Sequence, residues 1–248
     1  MKQIKFFSTI PGVADAFPIL ESKNSMPSWM QAARLDYMKQ NKRDLTILRC
    51  PGVVDLLTTG YIVTAWHDID VEVQPHKFSV TIPDQSLNDM LEKDSIQVQT
   101  PDGLAKHIPK RPWSQKAILK INTPWNLMAP KGLKFMMIPL PYTESFEFEA
   151  APGILDPGYS TELNVQGYVN VPAGTTLTIK AGTPLAQLVP MSNEQYEFVC
   201  RDMTEEDKTW AVKRKFLNKF AFIFQRNTVK ESYEKHNTGK CPFHFWGK

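Results

Sequence analysis

Asp156 and Tyr159 are the two side chains best placed by spacing to act together. In GILDPGYSTELNV, Pro157 suits the second position of a tight turn and Gly158 tolerates positive φ. Asp156-Pro157-Gly158 therefore reverses the chain and sets a carboxylate beside a phenol at a strand end. Such a pair could line a pocket; equally, Asp156 could cap its own turn as an Asx residue while Tyr159 fills core space. Two amides follow, Gln166 in STELNVQGYVNV and Gln187 in the apolar strand PLAQLVP that comes after the turn at Gly182. Metal chemistry has two further candidates. WHDID gathers His67, Asp68 and Asp70, with His76 close behind, but His67 and Asp68 fall on opposite faces of a strand, so no metal site is expected. CPFH pairs Cys241 with His244, and zinc would need a second pair that the spacing of Cys50 and Cys200 does not supply. Cys50 in RCPG reads as a buried structural thiol. No Walker loop, dinucleotide fingerprint or Gly-x-Ser-x-Gly elbow occurs.

The elements that must position these residues are mainly strands. TGYIVTAWHDIDVEV puts Ile69, Val71 and Val73 on one face, and ESFEFEAAPGILD alternates Phe146, Phe148 and Ala150 with Glu147 and Glu149. LTILRCPGVVDLL, HKFSVTIPD, KAILKINTPWNLMAP, KGLKFMMIPLPY and TLTIKAGTPLAQLVP read as further strands. Residues 85–114 are polar and punctuated by proline, as a long loop or insertion would be. Helices are expected at both ends. Near the start, Ser25 offers an N-cap, Pro27 fits the first turn, and Trp29, Ala33 and Tyr37 form one stripe. Near the end, Thr204 and Asp207 have capping-box spacing, and Trp210, Lys213, Phe216, Leu217 and Phe220 follow as an apolar stripe with basic flanks. The expected organisation is an N-terminal arm with one helix (1–45), a β body (46–190) and a basic, aromatic helical arm (191–248). Short strands joined by Pro/Gly turns argue for a barrel or sandwich.

Bulk composition excludes little. Charged residues make up 22% of 248 and the net charge is only +3, so no general polyanion-binding role follows. That charge is uneven, with 11 Lys or Arg against 6 Asp or Glu after Cys200. A basic segment of this kind is a solvated helix face, or it meets nucleic acid, a membrane surface or an acidic neighbouring subunit. The opening lacks a long apolar run and a small-residue cleavage site, and no run of about 18 apolar residues occurs. With three widely spaced cysteines, these features lead us to expect a soluble protein of a reducing cytoplasm, without membrane partners.

GILDPGYSTELNV followed by LTIKAGTPLAQLVP resembles the paired motifs of the dUTPase and dCTP deaminase superfamily, which has the β-clip fold. Gly153, Ile154, Asp156, Pro157, Gly158 and Tyr159 match the first motif, and Gly182, Leu185, Ala186, Gln187 and Leu188 the second. The resemblance implies a dUTPase-like β-clip barrel with helical extensions at both ends. It also implies Asp156 as a catalytic base orienting water, Tyr159 as the ring that stacks on deoxyribose, and Gln166 and Gln187 as further ligand-binding side chains. Three departures stand out. MMIPLPYTESFEFEA keeps Pro139 but continues with Leu140, Pro141 and Tyr142, without the arginine that grips phosphate in dUTPases. Gln166 stands where the deaminases have their catalytic glutamate, and an amide cannot shuttle a proton as a carboxylate does. The Gly-rich phosphate lid is missing, since Gly239 and Gly247 are isolated.

Two functional readings follow from the resemblance. The first is a divergent, non-catalytic β-clip protein acting in assembly or binding. Its general similarity to phage β-clip proteins implies a virion structural component, located in the infected cell's cytoplasm or in the particle. The second is a deoxynucleotide hydrolase or deaminase using Asp156, and only that reading calls for a cofactor, Mg²⁺. β-Clip relatives imply a homotrimer whose terminal arms dock on neighbouring subunits. Other virion or assembly proteins are expected partners, and nucleic acid is the alternative partner for the C-terminal arm.

Overall fold

The computed structural model describes residues 1–39, 47–74, 77–81, 86–91, 93–100, 102–103, 106–109 and 112–221. His76, Cys241, His244 and the aromatic C-terminal tail lie outside these residues, as do the side chains of Phe216, Leu217 and Phe220. Strand β1 (Gln3–Ser8) leads through a one-turn helix α1 (Val13–Ala16) to β2 (Leu20–Glu21) and α2 (Ser28–Lys39). Helix α3 (Pro51–Thr58) precedes β3 (Tyr61–Thr64), β4 (Ile69–Gln74) and β5 (Lys77–Thr81). Helix α4 (Ser86–Leu91) and β6 (Ile96–Gln99) come before the long β7 (Ile118–Met128). Then follow β8 (Phe135–Ile138), β9 (Phe148–Ala150), β10 (Gly153–Leu155) and β11 (Glu162–Val169). β12 (Thr175–Ile179), β13 (Pro184–Pro190), β14 (Glu197–Asp202) and helix α5 (Glu205–Ala221) complete the order.

Among the described residues the protein is mainly β, with 38% strand and 23% helix. The described strands form three sheets, ordered β14-β1-β7-β11-β9 with β6 also on β7, β10-β8-β13-β3-β2, and β12-β4-β5. None of the three closes on itself. β7 divides one edge between two neighbours, pairing with β6 through Ile118–Ile121 and with β1 through Trp125–Met128. Pro124 separates the two halves, and opposite it the register of β11 shifts between Glu162 and Asn164. A proline cannot donate to the ladder, which is why it sits at the irregularity; its carbonyl still accepts the Thr9 N–H at 2.8 Å.

The core lies where the sheets face one another. Ile69, Val71 and Val73 of β4 point inward with no exposed surface, as their alternation predicts. They join Leu119, Ile121, Leu163, Val165, Phe135 and Leu188 in one cluster. Each such side chain contributes about 1.5–3 kcal/mol by leaving water. Trp66 enters the same cluster and keeps its indole N–H satisfied on the Asn122 carbonyl at 3.1 Å.

Four segments differ from their sequence reading. Residues 3–8, inside the expected N-terminal arm, form a strand between β14 and β7 with Ile4, Phe6 and Phe7 fully buried. Both faces of β1 are covered: Phe6 packs on Tyr61 and Phe198, and Phe7 meets Trp210 of α5 edge to face at 5.5 Å. The described part of the expected strand LTILRCPGVVDLL is instead a 3-10 turn (Ile47–Arg49) and helix α3. Pro51 opens that helix where its missing N–H costs nothing, and Val53, Val54 and Leu57 share its inner face. The 85–114 segment is not structureless, since α4 and β6 lie in it and β6 extends the largest sheet. Residues 197–202, within the expected C-terminal arm, form β14 in parallel with β1.

Elsewhere the local chemistry works as read. The Asp207 carboxylate accepts the Thr204 N–H at 2.9 Å while the Thr204 hydroxyl accepts the Asp207 N–H at 3.3 Å, a reciprocal capping box at the start of α5. Trp29, Ala33 and Tyr37 are the half-buried stripe of α2, although the helix begins at Ser28 on the Pro27 carbonyl and not at Ser25.

Candidate functional site

The Asp156 turn is built by its own residues. Oδ1 accepts the Gly158 N–H at 3.0 Å, and the Asp156 carbonyl accepts the N–H groups of Tyr159 and Ser160 at 2.8 and 2.9 Å. Pro157 is buried beneath the turn and Tyr159 is half-buried beside it. The second carboxylate oxygen lies 3.7 Å from Lys134 Nζ, and the side chain keeps only 19% of its exposure. Asp156 and Tyr159 are therefore together, with the carboxylate turned to an N–H and an ammonium of the same molecule.

Gln166 and Gln187 do not join them. Gln187 is 1% exposed, and its Nε2 donates to the carbonyls of Leu56 and Thr59, at 2.7 and 2.6 Å. The buried amide thus holds the end of α3 against β13. Along β8, Leu155 pairs with Phe135 whereas Gln187 pairs with Ile138. Asp156 lies past one end of β8 and Gln187 at the other, about 10 Å or more apart at 3.3 Å per residue. Gln166 is exposed on β11 opposite Lys120, and its carbonyl accepts the Ala151 N–H at 2.7 Å.

The segment after Pro139 is shaped by packing. Tyr142 adopts φ 54, and its carbonyl accepts the Trp29 indole N–H at 3.0 Å while the two rings meet at 6.0 Å. A left-handed tyrosine is costly, and this contact with α2 holds it.

Beyond Tyr142 the chain walls a cavity of about 640 Å³, closed on its other side by β12 and the start of β13. Pro139, Leu140, Phe146 and Phe148 supply apolar surface, Thr176 and Thr178 supply hydroxyls, and Glu147 and Glu149 supply carboxylates. No lysine or arginine is among the described residues that line it. The Ser145 hydroxyl, 2.6 Å from Glu147, holds that carboxyl below the usual carboxylate range. Phe146 is 68% exposed, against its reading as the buried face of a strand. Strand β9 starts only at Phe148, so the Phe146–Glu147 end of the alternating run is a rim. Sequence reasoning missed this groove because its walls come from residues 139–149 and 171–185.

Of the remaining candidates, Asp70 meets the groove wall, its Oδ1 accepting the Thr178 hydroxyl at 2.6 Å, and the other described ones are not among the residues that line it. His67 is buried with Nδ1 2.7 Å from the Asp68 carbonyl, and burial pushes its pKa down; its Nε2 has no partner among the described residues. Asp68 is instead engaged by the Ala181 N–H at 2.8 Å and Lys180 Nζ at 2.9 Å. Among the described residues no three His, Cys, Asp or Glu side chains stand close enough to hold a metal ion. Cys50 is exposed, not buried as expected, because it precedes the outer first turn of α3. Burial pushes the Cys200 thiol up to about 11, which leaves it protonated and unreactive at neutral pH. Among the described residues no helix is long and apolar enough to cross a membrane.

Comparison with protein-family models, with curated proteins and with solved structures finds no match for this chain. Chemically, the groove suits a cation or an apolar cationic group: it presents carboxylates and phenylalanine rings, and a polyphosphate would meet repulsion there.

Proposed function

We propose that this chain is a non-catalytic, β-clip-like protein that acts in binding or assembly. The observation that carries this reading is the state of the Asp156 carboxylate. One oxygen caps its own turn and the other faces Lys134, while Gln187 is consumed in holding α3. A general base needs a lone pair directed at a substrate proton within hydrogen-bond reach, and these groups point at the protein itself. The likeness of GILDPGY and AGTPLAQL to the dUTPase and deaminase motifs then reflects what those residues do for the backbone: a tight turn and a buried strand. Assembly as a homotrimer, in a phage particle or its infected cell, belongs to the same proposal and rests on that likeness.

The deciding experiment is calorimetric titration of the purified protein with deoxynucleoside triphosphates at millimolar concentration, with and without Mg²⁺. No heat of binding and no released pyrophosphate or ammonia are expected. Turnover that Asp156→Asn abolishes would overturn the reading and make the chain a nucleotide-processing enzyme. Light scattering reads the oligomeric state, and a monomer at all concentrations would remove the trimer.

A further inference from the structure

The groove and the end of the chain carry opposite charge. Residues 222–248 contain five Lys or Arg (Arg226, Lys230, Lys235, Lys240, Lys248) and two acids, Glu231 and Glu234. The whole chain has 29 basic and 26 acidic residues, so residues 1–221 hold 24 of each, and the entire net charge of +3 resides in the last 27. That segment also ends in KCPFHFWGK, with Phe243, Phe245 and Trp246 set between Lys240 and Lys248. The groove has the opposite character: its exposed phenylalanine, Phe146, sits next to Glu147, with the exposed Glu144 on the same loop.

We propose that the basic, aromatic segment 222–248 docks into the groove between residues 139–149 and β12, its terminal aromatic rings against Phe146 and Phe148 and its lysines against Glu144 and Glu147. This rests on the binding-or-assembly reading and names the partner of that surface. Cationic side chains gain from both carboxylates and aromatic faces, and each gain grows as water leaves the groove. A cavity of about 640 Å³ is of the size that encloses a drug-sized ligand, so it holds several side chains at once. Reach sets no obstacle. β14, which feeds α5, and β9, which borders the groove, are opposite ends of the ordered sheet, four strand spacings or about 19 Å apart, and the 17 residues of α5 add at most about 25 Å. Twenty-seven residues extend to about 90 Å.

Zero-length carbodiimide cross-linking of the reduced, full-length protein tests the proposal, with tryptic peptides read by mass spectrometry. Cross-links from Lys240 or Lys248 to Glu144, Glu147 or Glu149 are expected. F146S, at an exposed site, leaves every carboxylate in place and is expected to lower those cross-links about fivefold. Cross-links from these lysines to other acids only, or a yield unchanged in F146S, overturn the docking site. A mixture of ¹⁵N-labelled and unlabelled protein shows whether the bond forms within one copy or between two, and either result supports docking. If the cross-links fail while the protein neither binds nor turns over nucleotide, the groove assignment falls and the assembly reading stands.

Discussion

Gln187 Nε2 donates to the carbonyl oxygen of Leu56 at 2.7 Å, joining a fully buried strand residue to a helix 131 positions earlier. The same nitrogen serves the Thr59 carbonyl, so one amide satisfies two acceptors at the end of α3, where helical carbonyls lack partners of their own. This explains why a glutamine occupies the middle of an otherwise apolar strand.

Gln187→Met keeps the volume and removes the donor. It is expected to cost about 1–3 kcal/mol, the usual penalty for leaving buried acceptors unmade. Urea unfolding followed by tryptophan fluorescence measures it. A midpoint equal to that of the unaltered protein would show that these hydrogen bonds do not hold α3.

Asp156 separates a cap from a catalyst. An asparagine keeps the oxygen that accepts the Gly158 N–H and loses only the attraction to Lys134, an exposed-partner ion pair worth about 0–1 kcal/mol. Alanine removes the cap as well and is expected to cost about 1 kcal/mol more. Asp156→Asn close to the unaltered protein, with Asp156→Ala clearly below both in urea, is the expected order. Equal losses for both would assign the stability to the charge.

The split between legible and illegible features follows sequence distance. Ile69, Val71 and Val73 declared their strand because a period of two needs only neighbours, and Thr204 with Asp207 declared a helix start because both partners lie within four residues. α3 did not, since Val53, Val54 and Leu57 suit a strand as well as a helix and Pro51 decides only once it is known to begin the element. β1 was hidden by its six-residue length, and its partners β7 and β14 are more than 100 residues away. The Asx cap of the Asp156 turn was one of two readings of its residues, and the positive φ that Gly158 would tolerate is not used. What the carboxylate faces, Lys134, and what Gln187 holds, Leu56, are set by strand register, which a single sequence does not display.

Gly60 tests that register directly. Its φ is +89, and a Cβ there would drive into the Leu188 carbonyl of the neighbouring β13, backbone that cannot swing aside. Gly60→Ala is expected to cost about 3 kcal/mol, combining strain with displacement of the strand. Gly174 has φ +88 with nothing within 4 Å of an added Cβ, so Gly174→Ala carries the strain alone, about 1 kcal/mol. Thermal unfolding of the two variants in parallel checks the difference; equal shifts would place β3 and β13 farther apart than described.

Acid should loosen the junction of β14 and α5 through Asp207. Burial alone would raise this carboxyl, but the Arg201 guanidinium and the hydroxyl and N–H of Thr204 more than offset it and hold the pKa down to about 2, from an ordinary 3.8. A folded-state pKa below the unfolded one means that the unfolded chain binds the proton first as pH falls. The contribution is therefore complete above about pH 4 and is lost as pH drops from 3.8 toward 2, by about 2 kcal/mol in all. Asp207→Asn removes that dependence: its stability should be lower at pH 6, and the gap to the unaltered protein should close between pH 4 and 2. Urea midpoints at half-unit steps measure the gap. A gap that stays constant down to pH 2 would mean that the charge on Asp207 does nothing for α5 and that its neutral hydrogen bonds carry the cap.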